Sequence, residues 1–262
     1  LSLRRHFSQV TAFSTRRAFC ATLAATALQA AKPAPRPAAG VQLETVRALL
    51  RRQPTQTLKA LAEMGFKNVE GFSRPATLAL VPQLKEFGLT VRSCQVEVPL
   101  ITQNWDPHPD LKPLPLNEAI DGVAAAGIEF FTLGPIGSGE RGDGDDFYRR
   151  TADRMNAAAD LCRKSKIRFA WQLHALDFDG RPGNRAIDIY RDRLDLKLAP
   201  MELDTLQAQN LPALLKTWKG HIALLRQPDP TPVTNEAEYL FLGFDTIPDD
   251  PLAALKARQT PK

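Results

Sequence analysis

Glu70, Gln172, His174, Glu202 and Asp204 finish short apolar runs, and their spacing sorts them by face. Side chains alternate along a strand. In RFAWQLHA (168–175), Phe169, Trp171 and Leu173 therefore share one face, suited to a layer under helices, while Ala170, Gln172 and His174 share the other. In PMELD (200–204) the same parity puts Glu202 and Asp204 together, and Glu70 faces inward beyond Val69. Carboxylates and an imidazole meeting in one mouth are the groups that proton transfer needs: a base, and a shuttle or orienting donor.

Whether they meet depends on the elements that carry them. From Gly40 onward short apolar segments alternate with helical ones, the pattern of parallel βαβ units. Strands are expected near 40–43, 67–70, 90–96, 128–133, 167–173, 198–203, 221–225 and 239–244. Apolar residues at three- and four-residue steps predict helices over 57–64, 76–87, 116–126, 145–164 and 206–218. Right-handed crossovers close such strands into an α/β (β/α)8 TIM barrel, whose chemistry sits at the C-terminal ends of the strands. RQPDPTPVTNEAE, between the last two strands, has three prolines in its first seven residues, so the helix between strands 7 and 8 is expected to be missing.

GVQLETVRALL (40–50), TLKALAEMGFKNVEGF (57–72), KIRFAWQLHALDF (166–178) and MELD (201–204) resemble the sugar phosphate isomerase/epimerase family, the xylose-isomerase-like barrels related to AP-endonuclease-type enzymes. The resemblance spans roughly 40–257. It implies an isomerase or epimerase acting on a sugar or polyol derivative, with Glu70, His174 and Asp204 as catalytic groups. It also implies a divalent metal (Mn, Mg or Zn), for which Asp204, Glu202 and His174 are the available ligands. The chain departs from the family pattern at several ligand positions. Gln95 stands where the third strand usually offers His, Gln172 and Leu173 replace His and Asn, and Gly243 takes the place of the final Glu. Arg226 ends the seventh strand where the family has a His-Val-Lys-Asp run. A divalent ion wants about four O or N ligands, so the set is depleted, and a barrel holding no metal is the other reading. Arg226 is a permanent cation able to stand in a metal's place, with Gln95 and Gln172 as neutral substrate-binding walls. The alternative is a catalytically inactive carbohydrate-binding or interaction barrel.

Each residue also has a purely structural reading. Glu70 fits an interior ion pair, His174 a hydrogen-bonded core histidine, and Asp204 a cap for the helix expected from 206. Arg226 could instead turn outward and pair with Asp229 or Glu236. Asp177 and Asp179 read as turn residues before Gly180, and GSGERGDGDD (137–146) as a solvated loop whose acids would repel phosphate.

The remaining signals lie in the leader. Paired Arg16 and Arg17 precede an apolar run from Phe19 to Ala31, resembling a twin-arginine export signal over 1–31, followed by an Ala/Pro linker over 32–39 and the barrel domain over 40–262. The run is too short and Ala-rich to anchor in a membrane, so export machinery is the expected partner and the periplasm the expected location. The formal charge of +5 sits mostly in this leader; losing 1–31 leaves about +1, too little for nucleic-acid binding. Beyond the leader only Cys94 and Cys162 remain, without metal-type spacing.

Overall fold

The computed structural model describes residues 36–142 and 144–259. The segment expected to be an export signal, and that expected to be a linker up to residue 35, lie outside the described residues. Eight parallel strands close in chain order: β1 Ala38–Gln42, β2 Asn68–Ser73, β3 Thr90–Val96, β4 Phe130–Leu133, β5 Arg168–Gln172, β6 Met201–Asp204, β7 Ile222–Gln227 and β8 Tyr239–Leu242. β1 pairs with both β2 and β8, which completes a TIM barrel. Its first two residues, Ala38 and Ala39, pair with Tyr239 and Leu240, so the barrel claims the end of the segment read as linker.

Among the described residues the helices are α1 Arg47–Arg52, α2 Pro54–Glu63, α3 Arg74–Glu86, α4 Val98–Thr102, α5 Leu116–Ala125, α6 Asp145–Lys164, α7 Ala186–Arg193, α8 Leu211–Thr217 and α9 Pro251–Ala257. Periodicity located the longer ones; α1, α4, α7 and α9 span too few turns for a repeat to emerge. The helix expected from Leu206 starts at Leu211. Pro212 suits a first turn, and Asn210, just before it, holds a left-handed φ of 47°. Between β7 and β8 there is no helix, as the prolines require. Buried Gln227 organises that segment instead: its Nε2 donates to the carbonyls of Asp229 (2.5 Å) and Thr231 (2.7 Å), and its Oε1 accepts from the Val233 N–H.

Two apolar layers follow from strand alternation. Phe169, Trp171, Leu173, Met201, Leu203 and Leu225 pack outward under the helices, where Trp171 meets Tyr190 and Trp218 edge-on at 5.3 and 5.6 Å between ring centres. Inside lie Phe130, Ala170, Ala223, Leu224 and Phe241. Gly40 makes room for this plug, since a Cβ there would come within 2.8 Å of the Phe241 ring and 2.7 Å of the Asn68 carbonyl oxygen. β7 carries a bulge: Met201 pairs with Ile222 but Glu202 with Leu224, leaving Ala223 extra. The added residue reverses the parity of everything after it. Ile222 faces outward, yet Leu224 and then Arg226 face the barrel axis.

Candidate active site

Above the apolar plug the interior turns polar. Gln42, Gln95, Gln172 and Arg226 come from β1, β3, β5 and β7, the alternate-strand arrangement that fills one layer of such a barrel. Glu70 on β2 and Glu202 and Asp204 on β6 face the same space.

Arg226 is the hub. Its Nη2 and Nε donate to the two oxygens of Glu70 at 3.1 and 3.3 Å, its Nη1 donates to Asp204 Oδ2 at 3.3 Å, and Nη2 lies 3.5 Å from Glu202 Oε1. The Gln42 amide oxygen, turned toward the guanidinium, accepts from Nη2 at 2.7 Å and from Nη1 and Nε at 3.2 Å. Asp204 Oδ2 also accepts from Gln172 at 3.5 Å, and Gln172 in turn accepts from Gln95 at 2.7 Å. Exposure grades upward through the cluster: Glu70 and Glu202 are 0% exposed, Asp204 4% and Arg226 9%. A molecule in the mouth therefore meets Arg226, Asp204, Gln172 and Gln95 before the two glutamates.

One guanidinium cannot neutralise three carboxylates. Burial, and next the negative charge of Glu70, push Glu202 well above the ordinary carboxylate range. Neither Glu202 oxygen finds a hydrogen-bond donor when ionised. A proton on Glu202 removes that deficit, because the acid can then donate to Glu70. Burial also raises Asp204, with Arg226 opposing the shift. Burial disfavours the charge of Arg226 itself, but Glu70, Glu202 and Asp204 together hold it above its ordinary value.

Glu70, Glu202, Asp204, Arg226, Gln95 and Gln172 are thus brought together. His174 stands just past the end of β5, tied to its own turn: its N–H donates to Asp177 Oδ2 at 2.8 Å and its Nδ1 accepts from the Leu176 N–H at 3.2 Å. The metal set of Asp204, Glu202 and His174 does not fit an ion. The two carboxylates face a guanidinium, one nitrogen of the imidazole is already engaged, and among the described residues no three His, Cys, Asp or Glu side chains are arranged to hold a metal. Asp204 does not cap α8; its Oδ1 accepts from the Leu206 N–H at 3.0 Å within a turn. Arg226 turns inward, not toward Asp229 or Glu236.

Five residues in and around this site carry no role legible from sequence. Gln42 alone left a signal, sharing a face with Gly40 on β1. Gly243 leaves the space that Gln42 uses, since a Cβ there would come within 2.6 Å of the Gln42 amide and 3.5 Å of Arg226 Cγ. Gly243 thus makes room for the contact between Gln42 and Arg226. Arg141, in the loop read as solvated, instead reaches buried Asp177, Nη2 to Oδ1 at 2.7 Å. Arg74 and Glu97, beyond β2 and β3, form a second two-bond pair at 2.7 and 3.0 Å. Cys94 and Cys162 are buried free thiols, each pushed up to about 12 by burial.

The fold and site define a closed parallel barrel with a guanidinium–carboxylate cluster at the C-terminal ends of its strands. No family model and no curated protein sequence matches the chain. Solved structures do. A sugar phosphate isomerase/epimerase from Parabacteroides distasonis ATCC 8503 superposes with a TM-score of 0.64 at 15% identity, covering 88% of this chain and 95% of that one. The 3-keto-D-glucoside 4-epimerase of E. coli gives 0.62 at 13% identity, covering 85% and 97%. An AP endonuclease, family 2, from Brucella melitensis gives 0.60 at 13%, covering 84% and 96%. At these identities the likeness establishes the fold alone, a TIM barrel.

Proposed function

We propose that the protein is an exported isomerase or epimerase of an uncharged sugar or polyol derivative, in which Arg226 takes the part that the resemblance gives to a divalent metal. The observation that carries this reading is the placement of Arg226, a buried cation held by four side chains and still open to the mouth. Asp204, the most accessible carboxylate of the cluster, removes a proton from the carbon beside a substrate carbonyl. The electron pair moves onto the carbonyl oxygen, and Arg226 donates to the resulting enediolate from a largely buried position. Return of the proton to the other face, or to the neighbouring carbon, completes epimerisation or isomerisation. Glu70 is the counter-ion that aims the guanidinium. Gln95, Gln172 and His174 offer hydrogen bonds to hydroxyl groups. The likeness to a 3-keto-D-glucoside 4-epimerase supports such a substrate.

The charge balance supports an uncharged one. Arg226, Arg74 and Arg141 each already face a carboxylate, leaving none of the three free for a phosphate. The test is solvent-deuterium incorporation into an unphosphorylated ketohexose and into its phosphate ester. Exchange in the free sugar, lost in Asp204→Asn, is expected. Binding without exchange would instead indicate a non-catalytic carbohydrate-binding barrel, and exchange confined to the phosphate ester would overturn the substrate class. Residues 1–31 serve as the export signal, supported by Arg16 and Arg17 before a short apolar run; among the described residues no helix is long and apolar enough to cross a membrane.

A further inference from the structure

We propose that Arg141 and Asp177 are positioning residues that fix His174 as the Nε2–H tautomer, so that Nε2–H is the one ring donor it can offer a substrate; this rests on the reading of His174 as a substrate-binding group. Past β5 the chain turns through a 3-10 helix, Ala175–Phe178, with His174 as its N-cap. The backbone N–H of Leu176 donates to His174 Nδ1 at 3.2 Å. A peptide N–H can only donate, so Nδ1 must accept, and the proton of the neutral ring belongs on Nε2. In the opposite tautomer two donors would face each other.

That assignment depends on the peptide of Leu176 staying in place, and Arg141 and Asp177 hold it from both sides. Asp177 Oδ2 accepts from the His174 N–H at 2.8 Å, closing a reciprocal capping box. Asp177 Oδ1 accepts from Arg141 Nη2 at 2.7 Å, while Arg141 Nη1 donates to the Leu176 carbonyl at 3.0 Å. Arg141 Nε is anchored in turn on the Ile136 carbonyl at 2.8 Å, in the loop beyond β4. Leu176 is therefore gripped at its carbonyl by Arg141 and at its N–H by the histidine ring. The fork geometry matters, because Arg141 bridges two different acceptors of the β5 turn and one of the β4 loop at once. Tyr148, whose hydroxyl oxygen lies 3.4 Å from Arg141 Nη1, adds little to this grip.

The experiment is long-range 1H–15N correlation of the His174 ring in the 15N-labelled full chain at about pH 8. The wild type is expected to show the Nε2–H pattern alone, and Tyr148→Phe the same. Asp177→Asn and Arg141→Lys, which keeps the charge but loses the fork, are expected to show both tautomers, with at least about a tenth of the ring as Nδ1–H, a tenfold bias being about 1.4 kcal/mol. Should Asp177→Asn not fold, Arg141→Lys gives the reading. An Nδ1–H ring in the wild type, or a wild-type ring signature in folded Arg141→Lys, overturns the proposal. Because the readout is the ring itself, either result stands apart from whether the protein turns over a sugar.

Discussion

Replacing Arg226 by Met keeps most of the side-chain volume and removes the cation on which Glu70, Glu202 and Asp204 converge. Removing one partner of a buried ion pair costs about 3–5 kcal/mol, because the charge left behind has neither water nor a counter-ion. That is a large share of the roughly 5–15 kcal/mol that holds a domain folded. The loss must depend on pH. Burial already raises Asp204 and Arg226 opposes the shift, so in the variant Asp204 rises further and Glu202 stays raised. For an acid whose folded pKa lies above its unfolded one, the native state binds more protons. Its penalty is absent below the unfolded value, about 4, and grows as pH rises toward the folded value, at about 1.4 kcal/mol per unit. Urea unfolding of wild type and Arg226→Met at about pH 5 and pH 8 reads this directly. The variant's deficit is expected to reach about 3–5 kcal/mol at the higher pH and to be smaller by at least about 1 kcal/mol at the lower. A deficit under about 1 kcal/mol at pH 8, or one equal at both pH values, would refute the argument that Arg226 holds three buried acids together.

Three further outcomes are expected. Trp171→Ala empties the space between β5, Tyr190 and Trp218 and should cost about 3–5 kcal/mol in urea unfolding. Gly40→Ala drives a methyl group against the Asn68 carbonyl and the Phe241 ring, and should destabilise by about 1–3 kcal/mol, measured the same way. Substituting Lys for both Arg16 and Arg17 should block export in a fractionation assay; continued delivery to the periplasm by the twin-arginine route would refute the leader assignment.

Strand parity alone carried much of the site. Alternation in RFAWQLHA and PMELD puts Gln172, Glu202 and Asp204 inside and Trp171 outside, as found. Arg226 was harder, because counting from Ile222 by simple alternation sends it outward; only the bulge at Ala223 turns it in, and a bulge leaves no mark in a short apolar run such as IALLRQ. The inward reading of Arg226 came from its place in the family pattern instead. Gln42 and Gly243 went unassigned for a related reason: their roles are defined by each other and by Arg226 across the barrel, at sequence separations no local pattern reaches. Asp177 was read as a turn residue, which it is, but its partner Arg141 lies 36 positions away in a loop whose composition suggested only solvent.

Native mass spectrometry of the wild-type protein titrated with Mn2+, Mg2+ and Zn2+ distinguishes the proposed guanidinium centre from a metal centre. No stoichiometric adduct is expected with any of the three, because Glu70, Glu202 and Asp204 are already committed to Arg226. One ion bound per chain, lost on replacing Asp204 by Asn, would contradict it and restore a metal-dependent site.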